Sequence, residues 1–422
     1  MEEIAMNLSR FGKKITRGSG ISQLMADLGR ALFGHEEMLM LGGGNPAHIP
    51  QVQQRFRECM RRMLDQNGVF ERAIGNYDGP QGNMAFIEAL VALFQQEFGW
   101  DITSANIALT NGSQTAFFIL FNIFGGTYQD GSRKKILLPL APEYIGYADV
   151  GLEDDLFLAN KPNIELLENH LFKYHINFET LRIDGSIGAV CVSRPTNPTG
   201  NVLTDSEIAR LSALAAERGV PLIVDNAYGV PFPHIIFTDA HLTWNPNTIL
   251  CMSLSKLGLP AFRTGIIVAR EDIVRALSEA NAVMSLAPTG MGAAIACELV
   301  KSGEILRLSR EIIRPYYEKR VRQAVEQLQH GLEGLDYHIH KPEGALFLWL
   351  WLPGLSITAD ELYERLKRRG CLIVPGHYFF PGLDEPWRHK DECIRITYSQ
   401  EDKVVTAGLK IIAEEVRRAY AG

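Results

Sequence analysis

No apolar run in the 422-residue sequence approaches the ~20 residues that a helix needs to cross a bilayer; the longest, around Ala345 to Leu352, stops at Pro353. A helical integral membrane protein is therefore not expected. There is no CxxC pair: Cys59, Cys191, Cys251, Cys297, Cys371 and Cys393 stand singly, which excludes zinc-ribbon and dithiol redox motifs and predicts reduced core thiols. No block of like charge occurs either, and 42 Lys and Arg against 49 Asp and Glu give a net charge of −7, which argues against nucleic acid as the main partner. The start, Met1-Glu2-Glu3-Ile4, is acidic and lacks an apolar h-region and a small-residue cleavage site, so a cytoplasmic location is expected. Internal repeats and low-complexity linkers are missing too. With 46% hydrophobic and 22% charged residues, the chain can bury a large core, and its length predicts two domains.

From about Met38 to Ala269, short β-branched apolar runs alternate with longer helical patterns, the rhythm of an α/β fold with a mostly parallel sheet. One unit reads closely. Strand Ile187 to Ser193 leads through Arg194-Pro195-Thr196-Asn197-Pro198-Thr199-Gly200 into a helix with a Thr204/Glu207 capping box, a Leu203/Ile208 staple and a terminal Gly219, and then into strand Pro221 to Asp225. Strands Thr248 to Ser253 and Gly265 to Ala269 are too close for a helical crossover and so are expected to be antiparallel. From about Pro315 the texture becomes α+β: a charged helix from Tyr316 to about Gln329, a strand from Ala345 to Leu352, a helix from Ala359 to Arg369, a strand from Ile394 to Thr397 and a terminal helix. The stretch before Met40 is expected to pack with this part.

Open α/β sheets bind ligands outside the carboxyl ends of their strands. Strand Ile107 to Thr110 runs into Asn111-Gly112-Ser113-Gln114-Thr115 at the head of an apolar helix, where N–H groups and hydroxyls can receive an anion; a plain Ser or Thr cap explains the same residues. Cys251-Met252-Ser253-Leu254-Ser255-Lys256, followed by Arg263, gathers two hydroxyls, a lysine and an arginine at another strand end. The serines and the arginine suit a phosphate cage. A lone strand-end lysine is ordinarily solvated, but beside such a cage burial and positive neighbours would depress the pKa of Lys256 and make it a Schiff-base nucleophile. Asp225, Tyr228 and Asn197 also follow strand ends. A pyridine ring with a phosphate, an aldehyde and a phenolic oxygen needs a carboxylate at its nitrogen, donors at its phenolic oxygen and an amine at its aldehyde. Asp225, Tyr228 with Asn197, and Lys256 supply these in turn, so pyridoxal 5'-phosphate is the implied cofactor.

The ordered set Tyr77-Asp78-Gly79-Pro80-Gln81-Gly82, Asn197-Pro198-Thr199-Gly200, Asp225-Asn226-Ala227-Tyr228, Ser253-Leu254-Ser255-Lys256 and Arg263 resembles the class I/II pyridoxal-phosphate aminotransferases of fold type I, from about Phe11 to the C-terminus. The resemblance implies a mostly parallel mixed sheet flanked by helices in a large cofactor-binding domain over 46–315, with a smaller α+β domain built from 1–45 and 316–422. It implies that Lys256 carries the Schiff base and shuttles protons, that Asp225 faces the ring nitrogen, and that Asn197 and Tyr228 reach the phenolic oxygen. By the same resemblance Tyr144 stacks on the ring, and Ser113, Gln114, Ser253, Ser255 and Arg263 hold the phosphate. Tyr77 would reach that phosphate from the neighbouring subunit of a homodimer with shared active sites. Arg395, which by itself reads as a surface arginine on an edge strand, would clamp the substrate α-carboxylate, with Gly44 and Asn197 beside it. Two departures stand out: the Lys256-to-Arg263 segment is one residue shorter than in most members, and Ala261-Phe262 replaces a small or glycine-containing pair, changes that can displace Arg263 relative to the phosphate and leave Ser255 the safer of the two ligands.

Arg395 is the one arginine with a motif-level reason to face a carboxylate, while Tyr144, Tyr147 and the Ile15 to Ile21 segment can wall an apolar pocket. The stretches Leu41-Gly42-Gly43-Gly44-Asn45-Pro46-Ala47, Ala141-Pro142-Glu143-Tyr144-Ile145-Gly146-Tyr147 and Pro375-Gly376-His377-Tyr378-Phe379-Phe380-Pro381-Gly382 resemble family members acting on small amino acids. That resemblance implies transfer between L-valine and pyruvate, giving 2-oxoisovalerate and L-alanine. Another amino-acid specificity, or a lyase on the same fold, stays open. The loose G-x-G-x-x-A pattern from Gly42 to Ala47 suggests a dinucleotide site, but Asn45 before Pro46 is pushed away from helical angles, the helix starts only near Pro50, and Asp65 falls on that helix rather than at a second strand end. A sensor domain of a transcription regulator would need an N-terminal DNA-binding domain, for which ~40 residues are too few.

Overall fold

The computed structural model describes residues 7–16, 18, 29 and 38–421. Its strands in chain order are β1 (Leu39–Met40), β2 (Ile107–Asn111), β3 (Gly126–Thr127), β4 (Arg133–Leu138), β5 (Phe157–Ala159), β6 (Asn163–Leu166), β7 (Leu171–His175), β8 (Ile187–Ser193), β9 (Leu222–Asp225), β10 (Thr248–Ser253), β11 (Thr264–Val268), β12 (His338–His340), β13 (Phe347–Trp351), β14 (Cys371–Leu372), β15 (Val374–Pro375) and β16 (Cys393–Thr397). Among the described residues they form three sheets. The largest has the order β2-β11-β10-β9-β8-β4-β3, with β5 added on β4; the second has the order β15-β16-β13-β12-β7-β6; the third is the pair β1-β14.

The large sheet is parallel across β4, β8, β9 and β10, and β11 runs antiparallel to both β10 and β2. Every residue of β8, β9, β10 and β11 is buried, as expected of strands covered on both faces. The crossover from β8 to β9 forms as its sequence predicts: in the helix Asp205–Glu217, Thr204 Oγ1 accepts from the Glu207 N–H at 3.2 Å and the Glu207 carboxylate accepts from the Thr204 N–H at 2.8 Å. Because β11 is antiparallel, its amino end lies beside the carboxyl ends of β2 and β10, with Thr264 opposite Asn111 and Gly265 opposite Ser253. One edge of the sheet thus collects the residues following β2, β8, β9 and β10 and those preceding β11.

The βαβ rhythm breaks between β4 and β8, where three strands stand in place of a helix. Two of them leave for the other sheet, β7 pairing with β12 and β6 with β7, so a segment inside 46–315 joins the sheet of the C-terminal region. The reason lies in β7, which is apolar on one face through Phe172 and Tyr174, while on the other Lys173 is buried against Glu343. Leu39–Met40 takes its partner from Cys371–Leu372, and the next residues are tied down by the same region: the Thr397 N–H donates to Leu41 O at 2.8 Å and Ser399 Oγ to Asn45 O at 2.7 Å. The C-terminal charged helix spans Arg314–Gly331, continuing a π-helical stretch at Leu308–Ile313. No described helix is long and apolar enough to cross a membrane.

Candidate active site

A cavity of about 400 Å³ opens where that sheet edge faces β16, lined by Ser113, Tyr144, Asn197, Asp225, Lys256 and Arg395 among others. One end of it is built at the head of the helix Ser113–Phe124. The residue before this helix is Gly112, and no side chain caps it, so the first amides and the Ser113 hydroxyl are left for a ligand. The plain-cap reading of Ser113 therefore fails. Gly112 has φ +82°, and a Cβ there would lie 2.2 Å from Arg263 Nη2, so the guanidinium packs directly over the turn. The short segment brings Arg263 to this place through a 3₁₀ turn at Pro260–Phe262 and a left-handed backbone (φ +48°) at Arg263 itself. Arg263 Nη1 donates to Ser255 Oγ at 3.4 Å, and Ser253 Oγ accepts from the Ser255 N–H at 3.0 Å while donating to Ser255 Oγ at 2.9 Å. Gln114 Nε2 donates to Gly146 O at 2.8 Å, and its buried Oε1 has no partner among the described residues.

Lys256 follows β10, and its Nζ donates to Gly44 O at 2.6 Å and lies 5.4 Å from the centre of the Tyr228 ring. Burial first, then the charges of Arg395 and Arg263, lower its pKa to about 8. Asp225 ends β9 with its carboxylate buried; Oδ2 accepts from the Tyr147 hydroxyl at 2.8 Å and Oδ1 from the Ala227 N–H at 3.0 Å. Burial raises its pKa to about 6, against the pull of Tyr147, Ala227 and Lys256.

Arg395 is not on an edge: β16 lies between β13 and β15, and the side chain is buried between the rings of Phe347 and Phe379, 4.1 and 5.0 Å from its guanidinium carbon. Nη1 donates to Asn197 Oδ1 and Nη2 to Gly42 O, both at 2.7 Å, while Nε has no partner among the described residues. An arginine only donates, so Asn197 must turn its oxygen to Arg395 and its NH₂ to the cavity, as a donor to a phenolic oxygen requires. The Tyr228 ring packs edge-on to Phe347 at 6.2 Å, at the same wall.

The residues present fit pyridoxal phosphate. A cationic, amide-rich end suits a dianion, a buried carboxylate suits a ring N–H⁺, and a lysine of lowered pKa stands between them. The structure brings together every residue predicted to hold the cofactor or the substrate carboxylate except Tyr77, which is 85% exposed and lines a different depression. Tyr147 corrects the expectation of an apolar substrate wall. It is fully buried, edge-on to Phe117, Phe121 and Tyr144, because the carboxylate of Asp225 needs a donor in the core. Ile15, the other wall candidate, is 57% exposed; Arg17 and 19–21 of that segment lie outside the described residues. Sequence reasoning missed Glu143 and Ser193, which stand beneath Asp225. The signal was a carboxylate between Pro142 and Tyr144, in the apolar stretch that follows β4.

The sequence model of the family "Aminotransferase class I and II" matches residues 165–412. The chain is 54% identical over 416 residues to the valine-pyruvate aminotransferase of Escherichia coli (strain K12), covering 99% of both chains. Among solved structures, a putative amino-acid aminotransferase from Psychrobacter arcticum 273-4 superposes with a TM-score of 0.97 at 50% identity, over 99% of this chain and 100% of that one. The valine-pyruvate aminotransferase AvtA of Salmonella typhimurium LT2 superposes with a TM-score of 0.88 at 53% identity, over 95% and 99%. With a cavity built for pyridoxal 5'-phosphate and relatives aligned from end to end, the chain belongs to the class I and II aminotransferases, enzymes that depend on that cofactor.

Proposed function

We propose that the protein moves an amino group between L-valine and pyruvate, giving 2-oxoisovalerate and L-alanine, in a ping-pong cycle. The observation that carries this reading is the charge inventory of the cavity. Of its three lining cations, Arg263 belongs to the phosphate end and Lys256 to the aldehyde, which leaves Arg395 for one substrate carboxylate and nothing among the described residues for a second. The names of the Escherichia coli and Salmonella relatives support the same pair.

When bound, pyridoxal phosphate supplies an aldehyde that links to amines and a protonated pyridine that accepts the electron pair left by the substrate Cα–H bond. The protein does the rest. Arg395 holds the α-carboxylate and so fixes which bond at Cα faces Lys256. Lys256 Nζ, with a pKa near working pH, would take the proton from the substrate Cα and deliver it to the carbon that was the cofactor's aldehyde, the relocation that an amino transfer needs. Asn197 joins the two tasks, since the amide that receives Arg395 offers its NH₂ to the phenolic oxygen. Single half-reactions check the specificity: valine and alanine are expected to convert the cofactor's absorbance fastest, with alanine slower because each missing methylene costs ~1–3 kcal/mol. Faster reaction with aspartate or an aromatic amino acid would overturn the substrate assignment, and elimination or decarboxylation products would overturn the reaction class.

The same reading includes a homodimer with composite sites in a reducing cytoplasm. Six free cysteines, five of them buried, support the compartment. Tyr77 supports the dimer, since it stands exposed and away from its own cavity, in a stretch of the chain where Leu64, Ile74 and Met84 are also exposed apolar side chains. Mixing Lys256→Ala with Tyr77→Phe subunits is expected to regenerate one intact site per heterodimer. Activity would then rise above that of Tyr77→Phe alone, which lacks a phosphate hydrogen bond worth ~1.5–3 kcal/mol. Activity unchanged by subunit exchange would place Tyr77 in its own subunit's site.

A further inference from the structure

Beneath Asp225 lies a second buried carboxylate for which the chemistry above has no use. Glu143 sits in the turn after β4 and is 1% exposed. Its Oε1 accepts from the Ser193 N–H at 2.8 Å, and its Oε2 from the Ser193 hydroxyl at 2.5 Å and the Tyr144 N–H at 3.3 Å. Ser193 Oγ lies 3.4 Å from the Tyr147 hydroxyl, which meets Asp225 Oδ2 at 2.8 Å. Glu143, Ser193, Tyr147 and Asp225 thus form one hydrogen-bonded chain with a carboxylate at each end.

The two ends are not equivalent. Asp225 lines the cavity, feels the charge of Lys256 and is placed to face a cationic ring nitrogen. Glu143 has no ion-pair partner among the described residues, and the titratable groups that act on it are Asp225, Tyr147 and Cys191, none of them a cation. A buried charge without a counter-charge is costly, and a second carboxylate sharing its hydroxyls makes it more so. Burial is the main force pushing the Glu143 carboxyl up to about 8, the Asp225 charge adding to it. The proton count agrees. With both carboxylates ionised, the Ser193 proton points to Glu143 and the Tyr147 proton to Asp225, and the Ser193–Tyr147 link carries none. One added proton on Glu143 lets every group donate in the same direction, from Glu143 to Ser193 to Tyr147 to Asp225.

We propose that Glu143 is a positioning residue that works as a neutral carboxylic acid, aligning Tyr147 on Asp225 through Ser193 and leaving Asp225 as the ionised member of the pair. This rests on pyridoxal phosphate binding with its ring nitrogen at Asp225.

The test uses holoenzyme reconstituted with pyridoxal phosphate. Glutamine copies a neutral carboxylic acid, accepting through its oxygen and donating through its nitrogen; leucine keeps the volume and breaks the chain. Glu143→Gln is expected to keep cofactor affinity within about twofold and the pH midpoint of the bound cofactor's absorbance unchanged, whereas Glu143→Leu weakens affinity about tenfold and moves that midpoint by about one unit. Ser193→Ala and Tyr147→Phe should reproduce the leucine effect, and they carry the test if the leucine variant does not fold. The wild-type minus Glu143→Gln infrared difference spectrum at neutral pH should show the carbonyl band of a protonated carboxyl group. A glutamine variant as damaged as the leucine one, a missing protonated-carboxyl band, or a midpoint unmoved in all chain-breaking variants would each overturn the proposal. Failure of the wild type to bind pyridoxal phosphate would instead overturn the reading beneath it.

Discussion

Lys256→Ala is expected to lower kcat by about 10⁴-fold or more while still binding cofactor. General-base catalysis alone contributes ~10²–10⁴, and this substitution also removes the amine that links to the aldehyde. Binding survives because the phosphate end is built from other elements: the head of the helix Ser113–Phe124, Ser255 and Arg263. The cavity should stay folded, since among the described residues the one hydrogen bond lost is that from Nζ to Gly44 O. Borohydride reduction of the wild-type holoenzyme followed by peptide mapping should place the label on Lys256, and the variant should take none. A small primary amine added to the variant should restore part of the proton transfer. Label on another lysine would sink the assignment, as would a variant that turns over at the wild-type rate.

How much of this was legible in the sequence depended on how local each signal was. The β8-to-β9 crossover could be read because its helix carries its own cap, Thr204 with Glu207, and the antiparallel turn from β10 to β11 because ten residues leave no room for a crossover helix. Lys256, Asp225 and Asn197 could be read because strand ends in an α/β sheet share one edge, so chemistry placed after each strand converges. What escaped was chemistry that depends on contacts between distant segments. Lys173 and Glu343, 170 positions apart, form a buried ion pair that receives the loop after Asn197: Lys173 Nζ donates to Val202 O at 3.0 Å, and Glu343 Oε2 accepts from the Val202 N–H at 3.1 Å. No local pattern reveals that β6 and β7 leave one sheet for the other to complete this pair. Tyr147 was misread for a related reason, since a tyrosine three residues after Tyr144 looks like the same wall until the 3₁₀ turn at Ile145–Tyr147 sends it inward to Asp225.

Asp225→Asn is expected to cost about 10²–10³-fold in kcat, the size of one preorganised electrostatic group removed from an active site, and to erase one pH dependence of the cofactor-free protein. An asparagine fills the same volume, its oxygen can still accept from the Ala227 N–H and its NH₂ can donate to the Tyr147 oxygen, so the loss reports charge and not packing. The sign follows from the direction of the shift. Burial raises the folded-state pKa from an ordinary 3.8 to about 6, so the folded protein binds this proton more tightly than the unfolded chain does. The stability contributed by that proton is fully present below 3.8 and is lost as pH rises through about 6. A cationic ring nitrogen reverses the preference by favouring the ionised carboxylate, so the cofactor should stabilise the wild type more at pH 7 than at pH 5. Melting of apo and holo protein across that range should therefore show the gap widening with pH in the wild type and staying flatter in Asp225→Asn. Asp225→Glu, which keeps the charge on a longer stem, should recover part of both effects. An asparagine variant with wild-type kcat and an unchanged melting profile would mean that Asp225 does not face the ring.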